Sequence, residues 1–233
     1  MFKNLLLVGL LAGVLSGSLL TVLQAFTVIP LIHQAEQYEN QLPASVGEEG
    51  KHGHDDLAED WKPNEGWERL GFTWLANLSI ALGFGLMLAG MMTFQRPKNW
   101  GQALLFGLAG YYAFFLAPAF LLPPELPGAN SPDLESRQAI WVVTVVVSLL
   151  SIALLGFATK PWLRLLGLAG LVSPFILFSQ QDVHYLAEIP KGLVERFTWL
   201  VVATNAIHWV ILGLSAYWLV MVFHHGQRRP SRS

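Results

Sequence analysis

Apolar residues fall into six runs along the chain, Leu5 to Ile29, Phe72 to Phe94, Ala103 to Leu122, Ala139 to Ala158, Trp162 to Phe178 and Phe197 to Phe223. A hydrocarbon core about 30 Å thick takes roughly 20 apolar residues as a helix, so the runs predict an all-α, polytopic membrane helix bundle. The fifth run is the shortest and contains Pro174, so its length fits either a full span or a buried or re-entrant segment. Charge separates the two. With six spans and a cytoplasmic N-terminus, the inner segments hold Lys3, Arg96, Lys98, Lys160, Arg228, Arg229 and Arg232, with Arg164 just inside the fifth run; that is eight of the fourteen basic residues, and all sixteen carboxylates fall outside. Short inner segments rich in Lys and Arg are what the positive-inside rule expects. Were the fifth run not to cross, Asp182, Glu188 and Glu195 would lie inside and the arginine-rich tail would be exported. The expectation is therefore six transmembrane helices, five being the alternative, in one integral membrane domain over 1–233. An external acidic loop at 33–69 and a basic cytoplasmic tail at 224–233 complete it.

Composition agrees with this class. Hydrophobic residues make up 53% of the 233 and charged residues only 13%, against about 25% charged in ordinary soluble domains. The first run follows Lys3 like a signal peptide, yet it is much longer than the usual h-region and no clear small-residue cleavage site precedes Pro30, so it reads as a retained helix. With no cysteine, disulfides, thiolate metal sites and iron–sulfur ligation are excluded. In the 33–69 loop, "HQAEQYEN" places His33, Glu36, Gln37 and Asn40 on one helical face.

The runs also suggest three repeated hairpins. Odd runs read "LLLVGLLAG", "LLFGLAG" and "LLGLAG" with later prolines at Pro30, Pro118 and Pro174, and even runs open "ERLGFTWL", "ESRQAIWV" and "ERFTWL". Either they descend from one hairpin, as in transporters with parallel repeats, or they reflect compositions common to membrane helices. Gly9, Gly13 and Gly17 form a stripe suited to close helix packing, as do Gly107 with Gly110 and Gly167 with Gly170, while Trp74, Trp141 and Trp199 suit the outer interface.

The sequence holds no GxxxxGK[ST], GxGxxG or HExxH, so nucleotide-driven pumping by this chain and zincin chemistry lack support, and basic residues scattered at membrane boundaries argue against nucleic-acid binding. What remains is imidazole, carboxamide and carboxylate. In "KHGHDD", His52, His54, Asp55 and Asp56 could bind a borderline divalent ion or form only a solvated acidic loop. His208, with Thr204 and Asn205 one turn earlier, lies deep in the last run. Ionisable groups there usually face a bundle interior or water-filled path, although a neutral histidine bonded to another helix would look the same. Gln24 carries the same two readings. At the outer rim, Asp182, His184 and Glu188, with His33 and Glu36, could ring an entrance, and His224 with His225 could receive an ion at the inner end. A haem-bearing oxidoreductase would need facing axial ligands, and only His208 is deep in a span.

The segment "APAFLLPPELPGANSPDLESRQAIWVVT", together with "QAEQYE" and "EIPKGLVERFTWLVVATNAIHW", resembles the CbtA family of predicted bacterial cobalt transporter subunits over nearly the whole chain. The resemblance implies a multi-pass protein of the bacterial inner membrane, usually described with five spans, that moves cobalt for cobalamin synthesis, often beside a small single-span, histidine-containing partner, CbtB. It singles out Glu125, Arg137, Gln138, Glu36, Glu39, Glu188, Pro190 and Asn205. Pro123, Pro124 and Pro127 would stiffen the turn that holds Glu125 at the outer mouth, where it either meets metal or pairs with Arg137.

The expectation is a cobalt permease or permease subunit, not an enzyme, with cobalt as cargo and no resident cofactor. The rival is a non-transporting scaffold that packs a small membrane partner through its glycine stripes. Lipid contact, a CbtB-like partner and a homo-oligomer are all compatible with either reading. The candidate metal ligands are His208, Asn205, Glu125, His33, Glu36, His184, Glu188, His52, His54 and Asp55.

Overall fold

The computed structural model describes residues 2–41, 63–64, 66–130, 133–177, 183–185 and 188–226; Asp182 and the 51–56 histidine–aspartate tract lie outside them. Helix α1 covers Phe2–Thr27 and α2 covers Ile29–Glu39. The break is local: Pro30 has no N–H to give the carbonyl four residues earlier, and it sits in the first turn of α2, where that loss costs least. Helix α3, Trp67–Gln95, ends where Arg96 turns left-handed at φ 45° just before Pro97. Asn99 then opens α4, Trp100–Tyr111: its Oδ1 accepts from the Gln102 N–H at 2.9 Å, and the Gln102 side chain accepts from the Lys98 N–H at 2.7 Å.

A π-helical turn at Tyr112–Leu116 carries α4 into α5, Ala117–Leu121, whose first turn contains Pro118. Strand β1 is only Ala129–Asn130. Helix α6, Leu134–Phe157, is capped by Asp133, whose carboxylate accepts from the Ser136 N–H at 3.2 Å. Helix α7 is Pro161–Leu177, β2 is His184–Tyr185, and α8 runs from Lys191 to Gly226.

Among the described residues, five helical segments are long and apolar enough to cross a bilayer: Phe2–Thr27, Trp67–Gln95, Trp100–Leu121, Leu134–Phe157 and Lys191–Phe223. The chain is a multi-pass helical membrane protein, and its outward leucines, valines and phenylalanines meet lipid. The fifth apolar run behaves differently from the other five. It forms the 17-residue α7, about 25 Å long at 1.5 Å per residue, which alone is short of the hydrocarbon thickness. Pro174 is buried within it, and Ser173 Oγ donates to the Gly170 carbonyl at 3.0 Å, supplying a donor to the carbonyl that Pro174 cannot serve.

The described chain packs as two compact units, Met1–Phe26 with 60–110 and Ala203–Ser233, and Thr27–Glu59 with 111–202. The sequence reads as one domain; three of the boundaries between the units, at 26/27, 110/111 and 202/203, fall within helical stretches.

In the first unit, glycine sets the spacing of α1 and α3. A Cβ at Gly9 would lie 2.7 Å from the Leu86 Cα, one at Gly13 would lie 2.8 Å from the Ala81 carbonyl oxygen, and one at Gly85 would collide with the Gly9 carbonyl. On α4, Gly107 lies against the main chain of Trp209 and Gly213, and Gly110 lies against the Trp209 ring, which is 1% exposed and 4.6 Å from the Phe84 ring. In the second unit, Gly167 and Gly170 of α7 meet Ser151 and Leu154 of α6. Each odd apolar run therefore packs its glycines on an even run, but only Gly9, Gly13 and Gly17 face their own hairpin mate, so the repeat holds for packing chemistry and not for pairing. The second unit also buries Val28, Leu31, Ala35, Leu126 and Phe197 together. Two phenols tie its helices: Tyr111 donates to the Val202 carbonyl at 3.1 Å and Tyr112 to the Leu171 carbonyl at 2.8 Å.

Adding one methyl group at two helical glycines should have opposite effects. Gly83 has nothing within 4 Å of an added Cβ, so Gly83→Ala should gain up to about 1 kcal/mol of helix propensity. Gly85→Ala should lose roughly 1–3 kcal/mol by forcing α1 and α3 apart. Thermal unfolding in nanodiscs, followed by circular dichroism, compares them; equal midpoints would show that the α1–α3 approach does not limit stability.

Candidate functional site

In the first unit, polar groups gather along one side of α1. Ser16 is fully buried and Thr21 nearly so, and each hydroxyl returns to its own helix: Ser16 Oγ donates to the Gly13 carbonyl at 3.3 Å and Thr21 Oγ1 to the Gly17 carbonyl at 3.1 Å. Carboxamides and imidazole reach across instead. Asn77 of α3 donates through Nδ2 to Thr21 Oγ1 at 3.0 Å and to Gln24 Oε1 at 2.6 Å. His208 of α8 is 3% exposed and has Nδ1 3.3 Å from the Ser16 carbonyl oxygen. Thr204, one turn earlier, is buried, and Asn205 is half-buried. Toward the start of α3, Trp74 Nε1 donates to Ser18 Oγ at 3.1 Å, so a tryptophan expected only as an interface anchor also ties α3 to α1. Trp141 and Trp199 are exposed.

Gln24 and His208 thus belong to a seam of amide, hydroxyl and imidazole groups. Sequence reasoning passed over Asn77, although a mid-span carboxamide is the same signal that singled out Gln24. Pairing is the physical requirement: an amide left unbonded in hydrocarbon is costly, so two amides on facing helices satisfy each other.

In the second unit, the PPELPG turn holds Glu125 where its Oε2 lies 3.2 Å from an Arg137 terminal nitrogen, with side chains 17% and 30% exposed. Of the two readings of this pair, the ion pair is present. It borders an open cleft of about 420 Å³ whose walls include Phe114 and Phe115 of the π turn, Pro118 and Trp141, with Gln138 beside Arg137. Gly128, at φ 81°, closes the turn; a Cβ there would lie 3.7 Å from Glu39 of α2. The turn is clasped to the segment before α8, since Ala129 and Asn130 pair antiparallel with Tyr185 and His184. The Tyr185 phenol oxygen accepts from the Leu126 N–H at 3.4 Å. Burial pushes that phenol above its ordinary 10, Glu125 pushes the same way, and the Leu126 bond opposes them.

Of the expected rim ligands, His33 and Glu36 come together, with His33 Nδ1 3.3 Å from Glu36 Oε2, while Glu188 is exposed. Among the described residues, no three His, Asp or Glu side chains converge as a metal site. His52, His54 and Asp55 lie outside the described residues, and His224 and His225 are in the last turns of α8.

The PPELPG turn with its arginine partner, the clasp and the polar last helix together account for the motifs on which the sequence resemblance rested. The model of the family described as "Probable cobalt transporter subunit (CbtA)" matches residues 2–221. The chain belongs to the CbtA family. Neither the curated proteins nor the solved structures return a match. Membership covers both units, so the seam and the rim are both features of a CbtA chain.

The rim pair gives a thermodynamic prediction. Glu125→Gln and Arg137→Gln should each lower the unfolding midpoint, because each removes one side of a partly buried ion pair. The double variant should cost less than the two losses combined, by about 0.5–3 kcal/mol. A double-mutant cycle in detergent checks this; strict additivity would mean that the two side chains do not interact.

Proposed function

We propose that this chain is a permease subunit that carries cobalt into the cell through the bacterial cytoplasmic membrane. The observation that supports it best is the seam itself: His208, Asn77 and Gln24 lie within spans and bond from one helix to another. Polar side chains at membrane depth are expensive and usually line substrate paths or helix contacts. Imidazole nitrogen and amide oxygen suit a borderline divalent ion that is shedding water. Acidic outer segments, including Glu36, Glu39, Glu125 and Glu188, raise the local cation concentration where the ion enters. The scaffold reading rested on free glycine stripes, and here the stripes face helices of the same chain.

The arrangement favoured by charge has both termini cytoplasmic and α7 completing a sixth crossing, which keeps Arg228, Arg229 and Arg232 inside. The family's description as a subunit makes a small CbtB-like membrane protein the natural partner to supply. A homo-oligomer is compatible with the same arrangement.

Uptake of radiolabelled cobalt into proteoliposomes, with and without that partner, tests the proposal. Uptake should exceed that of empty vesicles, His208→Ala should slow it about tenfold, equivalent to roughly 1.4 kcal/mol, and Asn77→Leu should slow it as well. Deleting residues 51–56 should cost less than His208→Ala. No uptake in either arrangement would reject the permease, and the reverse ranking would place the path elsewhere.

A further inference from the structure

Resting on the reading of His208 as part of a cation path, we infer that the Ser16 main-chain carbonyl fixes the His208 tautomer and so selects Nε2 as the atom that takes the metal. The contact is between His208 Nδ1 and the Ser16 carbonyl oxygen, 3.3 Å apart and buried. A carbonyl oxygen has no proton to give, so the bond forms only when Nδ1 carries one. In a neutral imidazole the other nitrogen is then bare, and its lone pair is the ring's one ligand site. Among the described residues Nε2 has no hydrogen-bond partner of its own. Metal-binding histidines commonly donate their second N–H to a backbone carbonyl in this way, which sets ring orientation and raises ligand basicity.

The contact exists because of what α1 lacks. Ser16 has only a small side chain, turned back onto the Gly13 carbonyl, and its neighbour Gly17 has none, so a ring from another helix reaches a carbonyl that larger side chains would shield. The Ser16 carbonyl uses one lone pair within α1 and has a second for the imidazole. A neutral Nε2 favours Co²⁺, Ni²⁺ or Zn²⁺ over Mg²⁺ or Ca²⁺, which prefer oxygen.

Substituting Ser16 would keep its carbonyl, so the test reads the ring directly. Full-length protein with ring-¹⁵N-labelled histidine, reconstituted in bilayers, is studied by solid-state NMR, and His208 is identified by transfer to a labelled Ser16 carbonyl carbon. Without metal, Nδ1 should bear the proton and Nε2 should not. Diamagnetic Zn²⁺ should shift Nε2 and leave Nδ1 protonated, and Mg²⁺ should move neither. A proton on Nε2 before metal is added, a Zn²⁺ shift at Nδ1, or an Nε2 indifferent to Zn²⁺ would overturn the inference. An Nε2 shift in a protein that fails to take up cobalt would retain the site and reject the permease.

Discussion

Lipid tails are as apolar as leucine, so two membrane helices gain little from hiding apolar surface against each other, and their attraction depends on how closely their backbones approach. Glycine on both sides of the α1–α3 contact brings that approach to its limit, since a Cβ at residue 85 would occupy the place of the Gly9 carbonyl. Past Gly13, the His208 ring meets the main-chain carbonyl of Ser16. Packing and chemistry in the first unit therefore both draw on the small residues of α1, Gly9, Gly13, Ser16 and Gly17. Near Gly110 the complementary solution appears: a large ring, Trp209, fills the space a missing side chain leaves.

Hydroxyls and amides then divide by reach. Ser16, Thr21, Thr73, Thr93, Thr144 and Ser151 donate to carbonyls of their own helices three or four residues back. Such groups are satisfied locally and say little about a path. Ser148 differs, being fully buried with an Oγ that lacks a protein partner among the described residues. Within the spans, the longer amide and imidazole side chains can reach past their own helix. Asn77 and His208 bond to another helix, which makes them better markers of a polar route than the more numerous hydroxyls.

Apolar run length and glycine spacing made the spans and the tight faces legible from sequence, because both are local quantities. The Glu125–Arg137 pair was also legible as one of two alternatives, opposite charges twelve residues apart across a proline-stiffened turn. Partner choice was not. Nothing local says that Gly107 meets Trp209, or that His184 pairs through its main chain with Asn130. A rim ring is harder to read: residue type identifies possible ligands, whereas convergence depends on loop geometry, and among the described residues the close pairs are His33–Glu36 and Glu125–Arg137. Asn77 escaped because a single amide within a strongly apolar run does not disturb the run.

The seam described in the first unit contains no carboxylate; its groups are imidazole, amide, hydroxyl and main-chain carbonyl. Neutral donors can replace part of a cation's hydration shell but cannot cancel its double charge, which at low dielectric remains the larger cost. Such a set is poorly suited to retaining a metal tightly. Permeation asks for the opposite of retention, binding strong enough to enter and weak enough to leave. A carboxylate at the level of His208 would deepen the site and slow release. On the proposed reading, confining the acids to outer segments and keeping the membrane interior neutral therefore favours cation passage over cation storage.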